Sequence, residues 1–328
     1  MKAWLVKEIG EPVDVLKIDE VENPVRQEDE VLIRVEATAL NFFDILICQG
    51  KYQEKPPLPF TFGSEISGVV VEASAASGFK EGQRVMASPK TPKGGLAQYV
   101  SVHQTAVYPI PDSMPWSEAA GMTITYRTSY YALYKRAQLQ AGEVLLVHAG
   151  AGGVGSSAIQ LGKAIGAKVI ATAGGAEKVQ VCKDLGADVV VDYLTEDFVE
   201  VVKRVTDGKG ADVIYDPVGG DIFDRSRKCI AFDGRILVIG FAGGTIPSVA
   251  INHILIKNYS VVGVHYGYYA KLFPENVIKE HNEIMKLYEE GKIKPLIYKE
   301  YPFEQVPEAL TLLGTRKTWG KVVVKINS

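Results

Sequence analysis

Short apolar runs rich in β-branched residues recur through the middle of the chain, at Val144–His148, Lys168–Thr172, Asp188–Val191, Ala211–Tyr215, Arg235–Ile239 and Tyr259–Gly263. The gaps between them are filled largely by stretches whose apolar spacing is closer to 3.6 than to 2, as in Ser156–Ile165, Glu177–Leu185 and Phe198–Val205. Strand and helix alternating at this interval predict a parallel sheet covered on both faces, the doubly wound α/β class. Six such strands match the number in a dinucleotide-binding sheet.

The first 125 or so residues have a different texture. Val31–Ala39 alternates apolar and polar positions, and Gly68–Glu72, Arg84–Ala87 and Ala97–Val102 are further short strands, punctuated by Gly and Pro clusters at Lys55–Pro59 and Pro89–Gly95. This predicts a compact, mostly antiparallel β domain. Beyond residue 264 the pattern predicts a helix over Glu275–Glu290, a turn at Gly291, a helix over Gln305–Leu313 and a closing strand, Lys321–Ile326. So apolar a final strand is expected to pair with the first domain. The division is then 1–125 with 265–328 for a discontinuous β domain, and 126–264 for the doubly wound one.

Composition changes this picture little. The chain has 328 residues, 47% hydrophobic and 23% charged, with a formal net charge of -3. That balance suits a globular protein and gives no electrostatic reason to expect nucleic acid or a membrane surface as partner. No apolar run reaches the length of a membrane span, and charge interrupts Met1–Glu8 too early for a signal peptide. Three scattered cysteines (Cys48, Cys182, Cys229) argue against a disulfide framework and fit a reducing cytoplasm.

The strongest chemical signal is Val147-His148-Ala149-Gly150-Ala151-Gly152-Gly153-Val154-Gly155, which follows a predicted strand and opens a predicted helix. Gly150, Gly152 and Gly155 form G-x-G-x-x-G, whose glycines permit a tight turn, close approach to a pyrophosphate and helix–strand packing. First-turn N–H groups and the helix dipole then favour an anion. An NAD site places a carboxylate about 20 residues further on, for the ribose 2′-hydroxyl. Here that place reads Thr172-Ala173-Gly174-Gly175-Ala176-Glu177-Lys178. With Gly174 where the acid belongs and Lys178 close behind, a 2′-phosphate meets no repulsion and gains a charged donor. NADPH is therefore expected rather than NADH. No P-loop and no G-x-S-x-G elbow occurs.

Taken with Ala39–Asp44, Phe62–Gly68, Gly95–Tyr99, Asp216–Gly220 and Gly320–Val323, this turn resembles the zinc-less quinone oxidoreductase branch of the medium-chain dehydrogenase/reductase superfamily, which includes zeta-crystallin. The resemblance runs nearly end to end. It implies a GroES-like domain, a Rossmann domain, a cleft between them and a homodimer. It also implies an enzyme that moves hydride from NADPH to a small electrophilic acceptor, either a quinone or the C=C bond of an enone or acrylate. The alternative is a non-enzymatic NADPH-binding protein, structural or RNA-contacting, as zeta-crystallin-like members permit.

Asn41 stands where zinc-containing relatives carry a cysteine, and Gly63-Ser64-Glu65 replaces their Gly-His-Glu. No C-x-x-C or H-E-x-x-H spacing is present, so no metal is expected. An electron-poor acceptor delocalises incoming charge and needs no Lewis acid; positioning and a few donors suffice. By the resemblance Asn41 touches the nicotinamide ribose or the substrate, and Tyr52 donates to the oxyanion or walls the cleft. Asp44 is expected to hold the surroundings of Asn41 together. Thr128, Phe241 and His265 fall beside the nicotinamide, with His265 not read as a general acid. Tyr193 falls beside the adenosine phosphate, and Arg316 closes over the cofactor. Tyr266-Gly267-Tyr268-Tyr269 with Tyr52 suggests aromatic walls suited to a flat or small apolar acceptor.

Overall fold

A computed structural model describes residues 1–327. Seven strands lie before residue 125: β1 (Lys2–Val6), β2 (Leu16–Glu20), β3 (Glu30–Leu40), β4 (Ile66–Ala73), β5 (Arg84–Ala87), β6 (Tyr99–His103) and β7 (Val107–Pro109). Six follow: β8 (Val144–Val147), β9 (Lys168–Ala173), β10 (Val189–Asp192), β11 (Ala211–Asp216), β12 (Ile230–Val238) and β13 (Ser260–Gly263). Two more, β14 (Ile297–Pro302) and β15 (Lys321–Lys325), come last.

The chain divides into two compact units, one of residues 1–124 with 295–328 and one of residues 125–294. In the first, β3 is the organising strand. Its second half pairs with β15 and its first half with β6, while β4 runs along its other side, all antiparallel. The seven-stranded sheet is completed by β5 and β7 beyond β4, and by β14, which lies parallel to β15. Alternation along β3 puts Val31, Ile33 and Val35 in the core with Val70, Val85, Val322 and Val324. Pairing of β15 with β3 is what the apolar closing strand implied. The short sheet of β1 and β2 attaches through bridges from Ala3 to Ala97 and Val6 to Phe60, and Trp4 Nε1 donates to Phe303 O at 2.8 Å.

The second unit is a six-stranded, wholly parallel sheet in the order β10-β9-β8-β11-β12-β13. From β8 the chain winds outward through β9 and β10, then returns to β11 on the other side of β8. The carboxyl end of β8 is thus the topological switch point, where doubly wound sheets bind ligands. Leu146, Ile170, Ile214 and Ile236 form the core with Phe198 and Phe223. The helix Phe198–Val205 is capped by Asp197, whose carboxylate accepts from Val199 N at 2.8 Å.

The division expected at residue 265 lies instead at Lys294. The helix Pro274–Glu289 buries Val277, Ile284 and Met285 within the second unit. It is tied there to the helix Thr125–Tyr130: Arg127 Nη2 meets His281 Nδ1 at 3.2 Å, and the Tyr130 hydroxyl donates to Glu283. Strand alternation could not reveal this, because a helix following the last parallel strand can serve either neighbour.

Candidate functional sites in the two units

In the second unit the glycine turn occupies the switch point. Ala149 sits at φ 50°, Gly150 N donates to Thr172 O at 2.9 Å, and the helix Gly153–Ile165 starts directly afterwards. A Cβ on Gly155 would stand 2.1 Å from Ala149 O, and one on Gly150 would meet Cys182 Sγ at 2.9 Å. Gly155 is therefore required for the helix to approach its strand, and the first-turn N–H groups open toward the carboxyl edge of the sheet. His148, just ahead of the turn, is buried and structural: Nε2 contacts Ser226 Oγ at 2.9 Å and Nδ1 contacts Thr172 Oγ1 at 3.2 Å. Burial, aided by Arg225, drives its imidazole down to about 3, so it stays neutral.

At the end of β9 the structure brings two predicted residues together. A Cβ on Gly174 would lie 2.5 Å from the Tyr193 hydroxyl, so the tyrosine, itself 53% exposed, lies against that glycine. Asp192 holds the adjoining loops by accepting from Gly175 N at 3.0 Å and Leu194 N at 3.1 Å. Lys178 is half-buried on the helix Ala176–Asp184. Phe241 and His265 follow β12 and β13 on this same carboxyl edge. Phe241 packs at Gly219, and the exposed His265 ring stacks on Tyr268 at 6.0 Å. Thr128 is half-buried in its helix; the next residue, Ser129, joins Ser157 and the Tyr215 hydroxyl, each at 2.8 Å. That hydroxyl network ties the helix to the glycine-turn helix and to β11.

In the first unit, Asn41 ends β3 and caps the helix Phe42–Cys48. Asp44 accepts from Asn41 N at 2.7 Å, and burial pushes its carboxyl up to about 7, with its second oxygen unpartnered. Tyr52 is half-buried and its ring stacks on Phe43 at 5.4 Å. Arg316 is exposed at φ 57°, just past the helix Val306–Gly314.

Two residues that sequence reasoning did not assign complete this cluster. Glu65 Oε1 accepts from Asn41 Nδ2 at 2.9 Å, Glu65 Oε2 accepts from Ile124 N at 2.8 Å, and Lys321 forms an ion pair with Glu65. Lys321 Nζ also donates to Asn41 Oδ1 at 2.7 Å and to Leu40 O at 3.0 Å. Both charged side chains are buried. The available signal was an acid in Gly63-Ser64-Glu65 and a lysine directly before the apolar run Val322-Val323-Val324. Among the described residues no group of three or more His, Cys, Asp or Glu side chains is arranged to hold a metal ion.

Comparison with known proteins places this architecture. The zinc-binding dehydrogenase family matches over residues 153–283, and the alcohol dehydrogenase GroES-like domain over residues 27–112. The chain belongs to the zinc-less quinone oxidoreductase branch of the medium-chain dehydrogenase/reductase superfamily. It is 39% identical to quinone oxidoreductase-like protein 2 homolog of Nematostella vectensis, over 98% of this chain and 88% of that one. It is 33% identical to human quinone oxidoreductase, over 94% and 92% of the two chains. The structure of Escherichia coli quinone oxidoreductase complexed with NADPH superimposes with a TM-score of 0.91 at 30% identity, covering 99% of this chain and 100% of that one.

Proposed function

We propose that this protein binds NADPH and reduces a small electrophilic acceptor, a quinone or the C=C bond of an α,β-unsaturated carbonyl compound, without a metal ion. The observation that carries this reading is the glycine turn at the switch point, with Gly174 rather than a carboxylate at the end of β9 and Tyr193, from the loop after β10, lying against it. The cradle fits a dinucleotide: Gly150, Ala151, Gly152, Gly153, Val154 and Gly155 leave room and N–H groups for a pyrophosphate. Lys178 meets the 2′-phosphate and Tyr193 flanks the adenosine portion. The assignments of Thr128, Phe241, His265 and Arg316 to the cofactor, and of Asn41 and Tyr52 to the reacting groups, rest on the family resemblance. When bound, NADPH supplies the hydride. The Escherichia coli relative crystallised with NADPH supports the cofactor choice.

A chain with Asn41 and Ser64 in place of a thiol and an imidazole lacks two strong zinc ligands, which supports metal independence. Three buried free cysteines suit the cytoplasm. No helix among the described residues is long and apolar enough to cross a membrane, and the acidic balance disfavours nucleic acid. A homodimer is supported by β13, an edge strand, and by Ile251, Leu255 and Ile256, exposed on the helix Ile251–Lys257 that precedes it in the chain.

The test is NADPH oxidation with a simple para-quinone and a short enone in parallel, with NADH as control. Turnover with either acceptor and NADPH supports the reading, and the faster one assigns the substrate class. NADPH binding with neither acceptor reduced would favour a binding protein.

A further inference from the structure

The side chain of Asn41 is held between a group that only donates and a group that only accepts. Lys321 Nζ donates to Oδ1 at 2.7 Å, and Glu65 Oε1 accepts from Nδ2 at 2.9 Å. An asparagine amide has two orientations related by a flip, usually close in energy. Here the flipped amide would point N–H groups at an ammonium and an oxygen at a carboxylate, so one orientation is strongly selected. The clamp is complete in itself. The three ammonium hydrogens of Lys321 are matched by Leu40 O, Asn41 Oδ1 and Glu65 Oε1, and Glu65 Oε2 is taken by Ile124 N. The lysine and glutamate side chains are 5% and 0% exposed, so water does not compete.

Three consequences follow from this geometry. The acceptor end of the amide is turned into the protein. The second Nδ2 hydrogen has only Ala39 O at 3.5 Å, the outer limit of a hydrogen bond, so a donor is what half-buried Asn41 offers. The ammonium on Oδ1 also polarises the amide, making its N–H groups stronger donors.

We propose that Lys321 and Glu65 are positioning residues that lock and polarise Asn41 as a donor, suited to an acceptor oxygen that gains negative charge (a quinone, enone or enolate oxygen) and unsuited to an alcohol that must give up a proton. The proposal rests on the reading of Asn41 as a site residue. It deepens that reading by naming the class of oxygen the amide serves.

Removing one charge alone would strand the other in the interior and threaten folding. The test therefore uses the paired change Glu65→Gln/Lys321→Met, which keeps volume and removes both charges together. Two readouts are taken on the full chain. The first is hydrogen-exchange protection of the Asn41 side-chain amide by 15N NMR, and it requires no activity. The second is steady-state reduction of a para-quinone in the wild-type and Asn41→Ala backgrounds. The expected result is loss of amide protection and a roughly ten- to hundredfold fall in kcat, with the KM for NADPH unchanged. In the Asn41→Ala background the paired change should cost nothing further, because it acts through the amide. Unchanged protection, or an equal additional loss in the Asn41→Ala background, would overturn the proposal while leaving Asn41 in the site. If Asn41→Ala itself turns over normally, the site assignment of Asn41 fails, and the catalytic role of the pair falls with it.

Discussion

Tyr193 lies so close over Gly174 that a Cβ on the glycine would stand 2.5 Å from the tyrosine hydroxyl. The two residues belong to loops after different strands, β9 and β10, and the contact removes the space in which an acidic side chain would select a free ribose 2′-hydroxyl. Gly174→Asp is therefore expected to displace the tyrosine and repel a 2′-phosphate, raising the KM for NADPH about tenfold or more. Lys178→Ala should raise the KM for NADPH by about tenfold and leave that for NADH nearly unchanged. Comparing both cofactors for each variant checks this; equal effects of Lys178→Ala on the two would remove the lysine from the phosphate site.

The glycine turn gives a graded prediction. A Cβ at Gly155 would be 2.1 Å from Ala149 O, whereas one at Gly152 would be 3.2 Å from the same atom. Backbone must move in the first case, and a shift of tenths of an ångström suffices in the second. Gly155→Ala is expected to abolish measurable NADPH binding and to destabilise the second unit by about 1–3 kcal/mol. Gly152→Ala should do less on both counts. Calorimetric titration together with urea unfolding separates the outcomes, and a reversed order would contradict the turn geometry.

Asp44 and His148 respond to acid in opposite senses. Burial lifts the Asp44 carboxyl to about 7 from 3.8, so the folded chain keeps a proton that the unfolded chain releases. The associated stability is full below the unfolded value and is lost as pH rises through the folded one. Burial lowers His148 to about 3 from 6.5, so the folded chain refuses a proton that the unfolded chain takes up. Its contribution is present above the unfolded value and is lost as pH falls toward the folded one. Each slope is at most about 1.4 kcal/mol per pH unit. Asp44→Asn should flatten the first and His148→Gln the second, measured by urea unfolding across pH 4 to about 8. A variant whose profile runs parallel to wild type would refute the burial of that group's charge.

Exhaustive dialysis against a chelator should leave quinone turnover within about 20% of the starting rate, since the Asn41 and Glu65 oxygens are engaged by Lys321 Nζ. Loss of activity restored by added zinc would contradict the metal-free reading.

Much of this was legible in residues close together in sequence. The parallel strands announce themselves as apolar runs because both faces of that sheet are covered, and the glycine turn because backbone approach admits nothing larger. β2 (Leu-Lys-Ile-Asp-Glu) and β14 (Ile-Tyr-Lys-Glu-Tyr-Pro) do not stand out as strands in the sequence, since charged residues exposed along them mask the alternation. Glu65 and Lys321 escaped for another reason: their meaning lies in a partnership across the whole first unit, which no local pattern encodes. The helix Pro274–Glu289 was visible as a helix, but its allegiance depends on contacts with Arg127 and Tyr130.

The place of β15 between β3 and β14 has a consequence for biogenesis. The second unit is one uninterrupted stretch of chain, so it can fold while synthesis continues. The first begins to be made earlier and must wait. β3, Asn41 and Glu65 leave the ribosome long before Lys321, and until that lysine arrives the Glu65 carboxylate lacks its counter-charge. A nascent chain stopped short of Lys321 would carry a finished dinucleotide cradle and an unfinished Asn41 clamp.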